Sequence, residues 1–321
     1  MLRRLLPLAG VLALTACDAG APVSHPDATV PTPTWAPAPS APPDGTTVPV
    51  PEPPTGVAIG GDVVLLAKTA ALVLPEHGNA TTTIPVSGSP RSVVALPGGG
   101  FRAVVGATLV ELPGGTVTKL PGEGGAIAVP PGGDWTVVAL PERGDVIMLS
   151  ARGDTLRTIH TGGRPSALAA DAERIAVLDA SQSSITTFDA ATGARQEGLR
   201  AGDGAVTVAA AGAGRFAVID ARDGELLVFD AGPLILRQRY PVPGGAWAAA
   251  YDAGRGVLWV TLTARNEVVG LHLGGGTPRE TARHRTVRLP LALAVDATTG
   301  ALAVAGTDGT GGQGLVQRIA P

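Results

Sequence analysis

RPSALAADAERIAVLDASQSSITTFDAATGARQE, residues 164–197, decides the fold of this chain. SALAA (166–170) is a run of small residues, and RIAVLD (174–179) is a continuous apolar run. SITTFD (184–189) alternates, and the polar segment after Gly193 reads as an outer strand. Between these runs lie Asp, Ala, Ser, Gln, Thr and Gly, a set rich in turn formers. β-branched residues fill the strands, and no segment sustains a 3.6-residue apolar period over ten or more residues. The stretch is therefore one four-stranded antiparallel unit, and a doubly wound α/β fold is excluded.

Imperfect copies of the unit run in both directions. Equivalent starts fall near Pro54, Pro90, Gly125, Pro165, Gly204, Ala246 and Pro290, at spacings of 36, 35, 40, 39, 42 and 44 residues. Four strands per repeat at this period predict an all-β fold, a β-propeller of seven blades. The innermost strands crowd the axis and carry small residues: AIAV (126–129), SALAA, AWAAA (246–250) and LALAV (291–295). The second strands are apolar without interruption, as in WTVVAL (135–140), RFAVID (215–220) and ALAVAG (301–306). Continuous apolar runs fit strands buried on both faces between neighbouring blades. Third strands are mixed, and Asp189 and Asp230, which end two of them, are expected to bond turn amides. The unit from 290 to 321 holds only three strands. TTVPVPEPPTGVAI (46–59) matches TTIPVSGSPRSVVA (82–95), which crosses from an outer strand to the next inner one. Residues 46–50 are therefore expected to complete the last blade, with Pro49 tolerated because an outer strand has one free side.

Trp259-Val260-Thr261, followed by Asn266 and Val268, resembles the YVTN-type repeat of secreted bacterial β-propellers. The Gly-His and Trp-Asp dipeptides of the WD40 pattern are missing from the blades. The YVTN resemblance spans about 54–321 and implies a propeller outside the cytoplasm, often a binding scaffold.

The N-terminus gives an address. Residues 1–17, MLRRLLPLAGVLALTAC, join a basic start at Arg3 and Arg4 to an apolar run, Leu5 to Leu14, too short to span a bilayer of roughly 30 Å as a helix. Leu14-Thr15-Ala16-Cys17 resembles a bacterial lipobox. That resemblance implies a signal peptide over 1–16, diacylglyceryl transfer to the Cys17 thiol, and lipid anchoring at the outer face of the cytoplasmic membrane. Asp18 resembles an inner-membrane retention signal of two-membrane bacteria. An ordinary secretory leader with a chance cysteine is the alternative, but the single cysteine of the chain stands at the lipobox position. Residues 18–45 are rich in Pro, Ala and Thr and cannot bury enough apolar surface to offset ordering entropy, so 17–45 is expected to be a disordered tether. Trp35 within it is either a docking residue or an incidental one. The globular domain is 46–321.

Net charge is −3, and removal of Arg3 and Arg4 would leave the mature chain more acidic. Lysine occurs only at Lys68 and Lys119, and basic residues form no run, which argues against a nucleic-acid partner. One cysteine allows no internal disulfide and no thiolate metal cluster.

Catalytic signatures are missing. The chain has no Gly-x-Ser-x-Gly elbow, P-loop or His-Glu-x-x-His. Of five histidines, His25 lies in the tether, His77 in an outer hairpin, His160 and His284 on outer strands, and His272 at the end of a third strand, so they should not converge. The two asparagines, Asn79 and Asn266, are placed in peripheral loops, too few and too far out for a lactonase-type calcium site. Arg143–Asp145 and Arg152–Asp154 look like the integrin tripeptide, and Asn79-Ala80-Thr81 is a formal sequon; turn chemistry accounts for the triplets. No cofactor and no metal are expected. Loops entering the inner strands surround the central opening and are the default binding site. They carry the candidate ligand face: Arg91, Arg164 and Asp203, with Trp247 just inside. Two arginines at matching repeat positions suit an anionic ligand or acidic peptide, unless each serves only a blade junction. The expected function is a membrane-anchored, non-enzymatic binding or scaffold module for a protein partner or envelope ligand. The alternative is a propeller enzyme with a metal or quinone in the channel.

Overall fold

The computed structural model describes residues 29–76, 81–308 and 312–320. Seven four-stranded antiparallel sheets form the ring of a β-propeller. Blade 4 runs from axis to rim as Ala167–Ala170, Arg174–Asp179, Ser184–Asp189 and Arg195–Arg200. Blades 1, 2 and 3 occupy 56–85, 90–119 and 127–160; blades 5 and 6 occupy 205–241 and 246–285. Blade 7 takes 288–319 and is completed by Thr46–Val50, which pairs antiparallel with Gly314–Ile319 from Thr46 opposite Arg318 to Val50 opposite Gly314. The expected closure, strand for strand, is what the chain adopts. Cys17, His25, His77 and Asn79 lie outside the described residues. Among the described residues no helix is long and apolar enough to cross a membrane.

The core is divided into junctions. Ile175 and Val177 pack toward blade 3 beside Val137 and Val146, while Ala176 and Leu178 pack toward blade 5 beside Phe216 and Val218. Successive residues of one strand thus fill two different cores, which is why the second strands read as unbroken apolar runs. Apolar clusters of this kind bridge all seven blade junctions, including the 7–1 seam, where Val50 joins Val57, Ala303 and Val316. The rim is open to solvent: every residue of Arg195–Arg200 is exposed, and the outer strands also leave Val117, Leu156, Ile235 and Leu236 exposed. In blades 3 to 6 the third and outer strands shift register at a bulge, which interrupts the flat edge that another chain could extend.

Inner strands vary more than the repeat pattern suggests. In blade 3 the inner strand is only Ile127–Ala128, and Gly125 N–H and Ala126 O continue the pairing with Ala139 ahead of it. A Cβ on Gly124 would lie 2.4 Å from Val104 Cγ1. In blade 6 the inner strand continues to Asp252, so Tyr251 joins Trp247 as an inner-strand aromatic.

Residues 29–45 contain no helix or strand, in keeping with their composition. Several of them nonetheless contact the propeller through hydrogen bonds. Proline-rich chain cannot build a core, but it needs only donors for its carbonyls to lie on one. Ala36 is 2% exposed. Asp44 anchors the far end: its Oδ1 accepts from Arg285 Nε at 3.0 Å and Nη2 at 2.8 Å, and its carbonyl accepts from the buried Gln317 Nε2 at 2.6 Å. The hydrogen bonds from Arg285 hold the Asp44 carboxyl below its ordinary pKa. A depressed folded pKa gives stabilisation that is present above the unfolded value and lost as pH falls through the folded one. Asp44→Asn should therefore lower the thermal midpoint at pH 6, and the gap from the unmodified chain should close as pH falls through the depressed Asp44 pKa. A gap unchanged by acid would show that Asp44 acts without its charge.

Candidate functional site

Two sets of connections share one end of the disc, here the upper face: the loops from each rim strand into the next inner strand, and the turns from second to third strands. Arg91, Arg164 and Asp203 lie on the loops entering blades 2, 4 and 5 or the strand just after, and all three are exposed. Trp247 lies part-exposed on the inner strand of blade 6. The four stand on four different blades, and among the described residues no hydrogen bond or ion pair joins any two of them. Arg164 pairs with Glu142 of blade 3, and its backbone N–H donates to Asp179 Oδ2 at 2.7 Å. Asp203 pairs with Arg200, whose hydrogen bond keeps the Asp203 carboxyl below its ordinary pKa. Asp203 also lines a shallow depression of about 290 Å³ with Arg200, Asp223 and Arg239.

The loops are held by a device the apolar pattern concealed. Asp179 and Asp220 each end a second strand and are 8% and 0% exposed. Asp220 Oδ1 accepts from the backbone N–H of Arg222 at 3.0 Å and Asp223 at 3.2 Å, closing the turn. Its Oδ2 accepts from Asp203 N–H at 2.8 Å, fixing the loop that enters the same blade. Asp179 repeats the pattern with Ser181, Gln182 and Arg164. Gly202 makes room: it sits at φ +77°, and an added Cβ would lie 1.9 Å from Asp220 Oδ2. The sequence signal was available, as an aspartate at the same place in RIAVLD and RFAVID. On the third strands, Asp189 does accept from Thr192 N–H at 2.7 Å, whereas Asp230 pairs with Arg237.

Asn266 is not peripheral. It is 5% exposed at the junction of blades 6 and 7, where its Oδ1 accepts from Leu289 N–H at 3.0 Å and its Nδ2 donates to Pro37 O at 3.0 Å. The asparagine that carries the YVTN-type resemblance thus acts as a clamp between blades.

The channel wall is chemically plain. On the inner strands the ionisable side chains are Arg91 and Arg288 near the upper ends and Tyr251 and Asp252 at the lower end of blade 6. Between them stand Ser92, Thr207 and Trp247 among Gly, Ala, Val, Leu, Ile and Pro. That wall offers apolar contact and two hydroxyls. Among the described residues no set of metal ligands gathers on that wall.

Elsewhere, Asp220, Asp223 and Glu225 bring carboxylate oxygens within 4.8 Å of one another. Asp220 is already spent on backbone amides, and Glu225 accepts from Arg239 Nε at 2.6 Å. The nearby Asp220 charge, more than burial, raises the Asp223 pKa. Among the described residues the histidines stand apart: His160 is 84% exposed and touches Asp145 Oδ1 at 2.6 Å, and His284 lies against Trp259. In the first Arg-Gly-Asp triplet, the Asp145 carboxylate is buried and taken by Arg143 and His160.

No protein-family model and no curated protein matches the chain. Solved structures with a similar fold include a streptogramin B lyase, at TM-score 0.67 and 13% identity over 85% of this chain and 97% of that one. A hydrazine synthase of Kuenenia stuttgartiensis aligns at TM-score 0.66 and 14% identity over 87% and 98%. A chain of the mitotic checkpoint complex aligns at TM-score 0.73 and 10% identity over 91% and 100%. At these identities the likeness establishes the seven-bladed propeller and nothing about activity.

Proposed function

We propose that this chain is a lipid-anchored, extracytoplasmic lipoprotein whose propeller is a non-enzymatic binding or scaffold module for a protein partner or envelope ligand. Cys17 is the lipidated residue in this reading, and the outer face of the cytoplasmic membrane is the location. The lipobox-like run Leu14 to Cys17 and the YVTN-type resemblance support the address. The observation that carries the binding role is the contrast between the upper face and the channel. Arg91 and Arg164 stand exposed around a mouth whose wall presents apolar contact rather than reactive groups. The same contrast weighs against an enzyme that uses a metal or quinone in the channel, although one similarly folded protein is a lyase by name.

Crosslinking in intact cells, followed by purification of the full-length protein, tests the reading. A reproducible partner that is lost in an Arg91→Ala/Arg164→Ala double variant is the expected result. Retention of every crosslink in that variant, or turnover of a substrate by the purified protein, would overturn it. Mass analysis of the mature N-terminus, with Cys17→Ser as control, tests the anchor separately.

A further inference from the structure

The upper face is not empty over blades 5 to 7, and its occupant describes the chemistry it reads. Residues 29–37, TVPTPTWAP, lie across it. Pro31 and Pro33 are half-buried, while Thr32 and Thr34, each following one of them, are exposed, so the segment is extended and rests on one side. Pro31 fits over Gly204, where a Cβ would lie 2.7 Å from Pro31 Cγ. Three carbonyls of the segment are bound. Thr29 O accepts from Arg222 Nη2, Ala36 O accepts from Arg288 Nε at 3.1 Å, and Pro37 O accepts from Asn266 Nδ2 at 3.0 Å. The Arg288 guanidinium also sits 5.9 Å from the centre of the Trp35 ring.

These contacts share a logic. Proline has no N–H, so a proline-rich strand offers carbonyl acceptors and little else. The face meets it with three side-chain donors and a cation for one aromatic ring. Two of the three donors come from arginine and none of the bonds reads a side chain of the segment. Trp35 remains 62% exposed, so its hold depends on the cation contact rather than on burial.

We infer that the upper face over blades 5 to 7 is a binding groove for extended proline-rich segments bearing an aromatic residue, occupied in cis by residues 29–37. A partner protein carrying such a segment binds by displacing this strap. The inference rests on the binding-module reading and names its ligand chemistry. It adds Arg222, Asn266 and Arg288 to a face that the sequence assigned to Arg91, Arg164, Asp203 and Trp247.

The test uses full-length protein and a fluorescein-labelled peptide of residues 29–40, TVPTPTWAPAPS, followed by anisotropy. A Trp35→Ala variant, whose strap has lost its ring contact, should bind the peptide about two- to fivefold more tightly than the unmodified protein. Adding Arg288→Ala should remove that gain, Arg288→Lys should restore part of it, and a peptide with tryptophan replaced by alanine should bind no variant. Equal binding by the unmodified and Trp35→Ala proteins, no binding by either, or binding indifferent to Arg288 would overturn the inference. Thermal midpoints recorded alongside show that each variant is folded. In-cell crosslinking is independent of this peptide, so a negative peptide result leaves the binding-module reading standing.

Discussion

A chain beginning at residue 51 is expected to melt about 10–20 °C below one beginning at residue 41. The difference between them is the strand Thr46–Val50 and its anchor at Asp44. Val50, 3% exposed, fills the seam between blades 7 and 1, and a buried valine contributes about 1.5–2 kcal/mol. The five-residue ladder with Gly314–Ile319 adds backbone hydrogen bonds at about 1 kcal/mol each. Together they approach about 5 kcal/mol, a large share of the about 5–15 kcal/mol that keeps a domain folded. Loss of the strand also bares the edge of Gly314–Ile319, so the shorter chain should associate in a concentration-dependent way. Thermal unfolding and light scattering of the two chains check both effects. Midpoints within a few degrees of one another would mean that the ring closes through side-chain packing and that the strand is decoration.

The closure could be read in advance because it depends on a comparison within the sequence, TTVPVPEPPTGVAI against TTIPVSGSPRSVVA. The second strands were legible for a similar reason. Each must fill two cores at once, so Ile175 and Leu178 alike have to be apolar, and the run carries no ambiguity of face. Features built from single polar atoms left weaker traces. Asp179 and Asp220 look like turn residues after a strand; nothing in RIAVLD or RFAVID says that the carboxylate reaches back to the loop entering the same blade. Asn266 looks like a loop residue, and its burial depends on blade 7 lying beside it. The strap was hidden most completely. Its composition correctly forbids regular structure, but composition cannot show that Arg222, Asn266 and Arg288, more than 180 residues away in the chain, present donors along one line.

The candidate site follows the same division. Arg91, Arg164, Asp203 and Trp247 were found from repeat position alone, and repeat position does place a residue at the mouth of a propeller. It does not decide what each side chain does there. Arg164 and Asp203 spend charge on neighbours, Glu142 and Arg200, at exposed pairs that stabilise little in water. A ligand can recruit such arginines at small cost, because the pair it breaks is weak. The buried aspartates beneath them are the opposite case, with every oxygen committed and no ligand able to reach them.

Asp220→Ala should therefore cost far more than any substitution of an exposed upper-face charge. Three backbone N–H groups, from Asp203, Arg222 and Asp223, lose their acceptor. A buried donor left unsatisfied costs about 1–3 kcal/mol, and water can reach the turn more easily than the loop, so the total should be about 3–4 kcal/mol. For a propeller of this size that lowers the thermal midpoint by roughly 10 °C. Asp220→Asn keeps one acceptor oxygen and should lose about half as much. Asp203→Ala, which removes only an exposed ion pair, should stay within about 1 kcal/mol. Titration gives a second readout, because Asp220 is the main cause of the raised Asp223 pKa. In Asp220→Asn that repulsion is gone, and the Asp223 carboxyl should titrate nearer its ordinary value by carbon-13 NMR. If Asp220→Ala were as stable as Asp203→Ala, the loop entering blade 5 would be held by its packing against blade 4, and the aspartate clamp would not be what shapes the upper face.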